Sequence, residues 1–482
     1  MSRKDKPALS PRKQAYRELA DRLAPERNGW IDRNAFYYED HWRYLRFLVG
    51  EERSVLDLGC GTGRLLKALS PVRGVGVDLS DEMVRIAREN YPGLTFHQGD
   101  IEDPNFMKTL KGPFDVIVLS DTIGFLEDCE TTLAGLQTLC TRDTRIILSY
   151  YSKAWEPVLK LAEVLGLKIP QKEQNWLTAK DLEGLLNLAD FDVVKKEWRQ
   201  LIPKPLLGLG RLINCSLGVL PGVRRLCLRN YLVARSMNYA EQPGLSATVL
   251  IPCRNERGNI EAAVQRLPRF CDDLEILFVE GGSEDGTWRE IERVIEAYPD
   301  LDIKAAQQDG SGKGDAVRKG FAQARGEALM ILDADLTVPP EDIPKFYHAL
   351  VSGKGEFING TRLVYPMENQ AMRTLNYIAN HLFSLAFSWL LNQRFTDTLC
   401  GTKVLSKANY NKIAAGRDYF GDFDPFGDFD LIFGATKQNL KVVELPIRYA
   451  DRTYGETQIS RFRHGLLLVR MVVFAFRKLK AI

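Results

Sequence analysis

Short apolar runs that stop at a carboxylate or a glycine recur along this chain, and no other feature constrains its fold so tightly. SVLDLGCGTG at 54–63, GVGVDLS at 74–80 and FDVIVLSD at 114–121 each end this way. ATVLIPCRNE at 247–256, LEILFVEGG at 274–282 and ALMILDAD at 328–335 repeat the pattern. Runs this short and apolar read as strands buried on both faces. The helical apolar patterns between them supply crossovers, so the chain is expected to be α/β with largely parallel sheets. Ligands gather at the carboxyl ends of such strands, where these acids and glycines stand.

A chain of 482 residues exceeds one ordinary core, so two domains are expected. The polar, turn-prone stretch MNYAEQPGLS at 237–246 is the expected linker between a domain over 1–236 and one over 247–482. A net charge of +2 argues against general nucleic-acid binding, which needs a concentrated basic field. The eight cysteines contain no CxxC pair and no zinc spacing, which fits reduced thiols in a cytoplasm. The basic start MSRKDKPALSPRKQ has no apolar core, so no signal peptide is expected. No apolar run approaches the roughly 18–20 residues of a membrane span.

In the first half, the turn after the first strand holds Gly59, Gly61 and Gly63, preceded by Asp57. Glycines there let a ligand approach the backbone, beside the free N–H groups of the next helix. A dinucleotide fingerprint would put its third glycine at Arg64. Asp78 ends the second strand, where it can accept hydrogen bonds from a ribose diol; Gly99-Asp100-Ile101 ends the third, and Ser120-Asp121 the fourth. Over roughly residues 30–236 this series resembles the class I S-adenosylmethionine-dependent methyltransferases. The resemblance implies a glycine turn against the methionine part of the cofactor, Asp78 on the ribose and Asp100 facing the adenine amine. It extends the expected cofactor set to Leu79, Met83, Ile101 and Ser120.

Strand-like FDVVKKEWRQL (191–201) and NYLVARS (230–236) would form that family's closing hairpin, but residues 202–229 intervene. This insertion carries Lys204, Arg211, Arg224, Arg225 and Arg229 among Leu, Ile and Val, with no acid. Contact with an anionic membrane surface and a lid over the acceptor site are both open readings.

The second half runs through the PCRNE strand end, EGGSEDGT, GKGDAVRKG and DAD. GKGD is not a Walker A loop, because Gly314 and not Ser or Thr follows Lys313. Over roughly residues 246–462 the order resembles family 2 glycosyltransferases of the GT-A fold. NGTR (359–362), DTLCGTKVLSK (397–407) and LPIRYADRTYGET (445–457) narrow the likeness to dolichyl- and polyprenyl-phosphate sugar transferases. The resemblance implies a nucleotide-sugar site made by Pro252, Arg254, Glu256, Glu280, Ser283, Asp285, Lys313 and Asp333. Asp333 and Asp335 would be the DxD pair holding Mg²⁺ or Mn²⁺ against the diphosphate, since hard cations suit oxygen ligands. Arg362, Arg373 and Arg452 would pair with an acceptor phosphate, and Asp428 and Asp430 would orient acceptor or donor, with base function open.

Thr337 and Thr457-Gln458 depart from the sugar-transferase pattern, at the metal and phosphate sites respectively. Residues 373–391 and the C-terminal RFRHGLLLVRMVVFAFRKLK are amphipathic or apolar with basic flanks, and each could be core. The basic, apolar chain end reads better as an interfacial helix in a headgroup region. The combined expectation is two Rossmann-like domains in a peripheral enzyme on the cytoplasmic face of a membrane. It would transfer a sugar to polyprenyl phosphate and a methyl group to another acceptor. The alternative is a glycosyltransferase acting on a soluble glycan or protein, with a first domain that only docks.

Overall fold

The computed structural model describes residues 9–169, 173–365, 374–421, 427, 429–450, 452, 454 and 461–482. Contacts divide the chain into two units, Met1–Tyr239 with Ala481–Ile482, and Ala240–Lys480.

The first unit holds β1 (Ser54–Leu58), β2 (Arg73–Asp78), β3 (Thr95–Gln98), β4 (Val116–Ser120), β5 (Arg145–Tyr151), β6 (Phe191–Arg199) and β7 (Arg229–Ser236). Their order among the described residues is β3-β2-β1-β4-β5-β7-β6. β1 to β5 run parallel, and β7 enters antiparallel between β5 and β6. Alternation along each strand sends side chains to two cores. Leu56, Ile117 and Leu148 pack on one face, while Val55, Val118 and Ile147 pack on the other. Each such burial contributes about 1.5–3 kcal/mol before chain entropy is counted. The 202–229 insertion folds as short helical turns, including Leu209–Cys215 and Val223–Leu226, between β6 and β7.

The second unit holds β8 (Ala247–Cys253), β9 (Leu274–Glu280), β10 (Asp302–Gln307), β11 (Ala328–Ile331), β12 (Phe357–Thr361), β13 (Lys403–Ser406) and β14 (Val442–Pro446). The order is β10-β9-β8-β11-β13-β12-β14, with β13 antiparallel to both neighbours. Val249, Ile251, Phe278 and Met330 centre its core.

Strand order reverses beside β1 in the first unit, where β2 and β4 flank it. It reverses beside β8 in the second, where β9 and β11 flank it. The crevice at such a reversal is where an open α/β sheet takes a ligand. Among the described residues no helix is long and apolar enough to cross a membrane.

Candidate active sites

A cavity of about 880 Å³ lies over the strand ends of the first unit. Gly59, Gly61, Asp78, Leu79, Met83, Asp100, Ile101 and Ser120 all line it, so the fold brings most of the expected cofactor positions together. Gly59 and Gly61 have φ of 83° and 52°, the left-handed region where a side chain is strained. A methyl group on Gly59 would collide with the Thr122 side chain, whereas one on Gly61 would enter open space at the cavity wall. Asp78 Oδ2 accepts from Gly61 N (2.8 Å) and Oδ1 from Ser80 N (2.9 Å), which fixes the carboxylate across the turn.

Two expected residues stand elsewhere. Gly63 packs against Phe96 and Ala87, serving close helix–strand contact. Asp57 is 1% exposed, and neither carboxylate oxygen has a hydrogen-bond partner among the described residues. Burial, aided by the nearby charge of Asp78, pushes its carboxyl up to about 7. Asp100 is engaged as well: Lys13 Nζ lies 2.7 Å from Asp100 and 2.9 Å from Glu102.

Lys13 belongs to the helix Pro11–Arg33, which the motifs did not reveal as a site element. Its Lys13, Tyr16, Ala20, Leu23, Arg27 and Trp30 line the cavity at three- and four-residue spacing, the signal that could have found it. Tyr37, Tyr38, Asp121 and Tyr151 line the same cavity. Arg229 is fully buried and donates from Nη1 and Nη2 to the two oxygens of Asp121 (2.9 Å each), and Nη2 also donates to the Tyr37 hydroxyl. It is therefore an interior cation, not part of the basic surface expected of the insertion. Buried His41 joins Ser120 Oγ (2.9 Å) to the Tyr231 hydroxyl (2.8 Å), and burial holds the imidazole neutral.

In the second unit Asp333 and Asp335 follow β11 in a turn closed by Leu336 N on the carbonyl of Asp333, with Leu336 at φ 51°. Each carboxylate has its own cation. Lys313 Nζ sits 2.7 Å from Asp333, and Arg452 Nη2 sits 2.6 Å from Asp335. Burial opposes ionisation of Asp333, yet Lys313, with Lys403 and Arg362 farther off, holds its carboxyl below the ordinary range. Thr337 donates its hydroxyl to Asp335 Oδ1 (2.8 Å), giving the departure noted above a structural task. Gly401 closes over the pair, because a methyl group there would strike Asp333 and Lys313.

Arg452 Nη1 also lies 3.4 Å from Glu256, whose carboxyl is raised by burial against the pull of Arg452. Pro252 lies in β8, and Arg254 is exposed just beyond it. Glu280 accepts from Ser283 N, and Ser283 Oγ accepts from Asn255 N (2.9 Å). Asp285 accepts from Thr287 N (3.0 Å), Arg257 N (3.2 Å) and the Tyr454 hydroxyl (3.3 Å). These residues form one polar rim at the ends of β8 and β9.

The acceptor arginines divide. Arg362 makes a double hydrogen bond to Asp397 (2.6 and 2.8 Å), a carboxylate 2% exposed that the motifs gave no role. Its guanidinium is engaged by Asp397 in this structure. Asp430 is likewise held, by Arg417 (2.8 Å) and Arg318 (3.4 Å), and suits orientation better than proton abstraction. Arg373, Asp428 and Thr457-Gln458 lie outside the described residues.

Comparison with known proteins follows the same division. Residues 12–196 match the family model for a methyltransferase domain, and residues 248–411 match that for glycosyl transferase family 2. A dolichol-phosphate mannosyltransferase of Pyrococcus furiosus is 35% identical over 122 residues, 25% of this chain and 34% of that protein. Glycosyltransferase AglJ of Haloferax volcanii is 29% identical over 221 residues, 45% of this chain and 67% of that protein. The matched stretches thus span 34% to 67% of the length of these two relatives. A solved SAM-dependent methyltransferase of Thermotoga maritima is 18% identical, with a TM-score of 0.36, covering 46% of this chain and 99% of that one. The chain thus matches a methyltransferase-domain family in its first unit and glycosyl transferase family 2 in its second, each unit built on a seven-stranded mixed sheet.

Proposed function

We propose that the chain is a bifunctional transferase, moving a sugar from a nucleotide-sugar to a polyprenyl-phosphate-type acceptor and a methyl group from S-adenosylmethionine to a second acceptor. The observation that carries the sugar reading is the Asp333–Asp335 pair at the sheet's reversal point, ringed by Lys313, Arg452 and Glu256. Two carboxylates are a fitting partial donor set for Mg²⁺ or Mn²⁺, with diphosphate oxygens completing it. Among the described residues no third acidic, His or Cys ligand joins them. The cation would offset charge on the departing nucleotide. Lys313 and Arg452 neutralise the pair beforehand and are placed to turn toward phosphate oxygens. Glu256, Glu280 and the turn built on Ser283 and Asp285 face the nucleoside. A polyprenyl phosphate is already largely ionised near neutral pH, so the engagement of Asp430 by arginines is no obstacle.

S-adenosylmethionine fits the first unit. Gly61 offers open space where a side chain would intrude, and Asp78 stands fixed for a ribose. The cofactor supplies an activated methyl group. The chain's part is to hold it, exclude water with the helix Pro11–Arg33, and present the acceptor beside Asp121 and Tyr37.

Peripheral membrane placement on the cytoplasmic face is part of the reading. Leu382, Leu385, Leu466, Val469 and Val473 are exposed on the helices Thr374–Leu391 and Arg461–Ala475, with Arg470 and Arg477 exposed beside them. Apolar residues mixed with cations suit an anionic interface. Radiolabelled nucleotide-sugars incubated with the protein and either total or lipid-extracted membranes test the acceptor. Label should enter the organic phase and vanish after lipid extraction. Transfer to a soluble glycan or protein would instead establish the other acceptor class, and failure of the first domain to bind S-adenosylmethionine in calorimetry would reduce it to a docking module.

A further inference from the structure

The cavity of the first unit has a second end, away from Gly61 and Asp78, that the cofactor motifs leave unused. There its wall is mostly apolar: Trp155, Leu159, Ala162, Leu167 and Ile169 line it with Lys168 and Glu173 among them, and Pro203 and Lys204 at the start of the insertion line it as well. The outer faces of these same segments carry leucines and valine around the exposed Lys160. Leu161, Val164, Leu165 and Leu167 are exposed around the helix Glu156–Val164, Val164 by 83%. Across the mouth, Leu206, Leu207, Leu209 and Leu212 are exposed on the insertion, Leu207 fully. The segments are joined where Trp155 Nε1 donates to the carbonyl of Leu226 (2.8 Å).

A lid that merely covered a water-soluble acceptor would turn its leucines inward. Here they point out on both sides of an opening, and exposed apolar patches of this kind mark binding surfaces. The insertion has no acid between 202 and 229, and Lys204, Arg211 and Arg225 are exposed among the leucines. Apolar contact combined with exposed cations complements an anionic lipid surface.

We propose that the methyl acceptor is an amphiphile held in an anionic membrane, and that the face formed by residues 158–167 and 204–226 rests on that membrane. The acceptor's polar end then passes over the apolar rim into the cavity while its tail stays in lipid. This rests on the methyltransferase reading of the first unit and names its substrate class.

The full chain is incubated with methyl-tritiated S-adenosylmethionine and three fractions of the producing cell: lipid extract in vesicles, soluble small molecules, and delipidated protein. Label is expected in the organic phase of the vesicle fraction. Labelling confined to the other fractions, or absent from all, overturns the acceptor class. Hydrogen exchange with mixed phosphatidylcholine and phosphatidylglycerol vesicles should show protection at 158–167 and 206–226, and unchanged exchange in both segments overturns the docking face. The variant Leu161→Glu/Leu165→Glu/Leu207→Glu should bind S-adenosylmethionine as before, which shows it is folded. Its labelling of vesicle-held acceptor should fall about tenfold or more, since burial of one leucine alone is of that order. Undiminished labelling by this variant also overturns the proposal. If the wild-type chain does not bind S-adenosylmethionine in calorimetry, the methyltransferase reading itself fails, a distinct result.

Discussion

Replacing Asp57 by Asn should remove a pH dependence from the first unit. The Asp57 carboxyl ionises at about 7 in the folded protein against an ordinary 3.8, because burial, then the charge of Asp78, disfavours the anion. The unfolded chain therefore loses this proton first as pH rises, and between about pH 4 and pH 7 the native state holds more protons. Native stability must fall across that window. A shift of about three units corresponds to about 4 kcal/mol at full effect, an upper figure because local relaxation admits water. Asn is nearly isosteric and cannot ionise, so the variant should match the wild type near pH 4 and exceed it above pH 7. Native-state hydrogen exchange of the β1 amides, compared between the two proteins at each pH, reports this unit alone and cancels the intrinsic pH dependence of exchange. A cationic ligand held at Asp78 in the cavity should favour ionisation of Asp57 buried near it and pull the proton off. Calorimetry of S-adenosylmethionine binding near pH 7 should thus show proton release in the wild type and less in the variant. Identical pH profiles of exchange in the two proteins would refute the reasoning.

Arg362→Met leaves buried Asp397 unpaired and should cost about 3–5 kcal/mol in urea denaturation of the second unit, whereas adding Asp397→Leu should recover most of it. A phosphate ligand at Arg362 would show no such rescue. Asp335→Asn should lower kcat for glycosyl transfer more than donor affinity, with EDTA mimicking it and methyl transfer unaffected; full sugar transfer in EDTA would count against a metal at the pair. Gly401→Ala places a methyl group against Asp333 and Lys313, so sugar transfer should be lost while circular dichroism stays native. Vesicle sedimentation should weaken at high salt through screening of Arg470, Arg477 and the insertion's exposed cations, and equal binding to neutral vesicles would contradict the anionic interface.

The strands and their terminal acids were legible because burial on both faces leaves a short apolar run, and a turn needs glycine, within one local window. The positions of Asp78, Gly61, Asp333 and Asp335 at or just after strand ends follow from that pattern. What stayed hidden depends on partners distant in sequence. Nothing near Arg362 announces that Asp397, thirty-five positions on, will bind it, and Arg229 looks like one more surface cation of a basic insertion until Asp121 is seen beneath it. The helix Pro11–Arg33 shows helical spacing along its cavity face, but with polar and charged residues among the apolar ones. Its cavity face mixes Lys13, Tyr16, Arg27 and Trp30, so it lacks the plain apolar stripe that marks a core-facing helix.

That helix has a consequence for the tempo of the reaction. It walls the cavity and is tied down by Lys13 on Asp100 and Glu102, by Ser80 on Asp21 and by Thr62 on Asn28. A spent cofactor held in this cavity would have to wait for those ties to open. We expect exchange of the spent cofactor, and not methyl transfer, to set the turnover rate, with Lys13→Ala giving a faster steady state and an unchanged single-turnover rate.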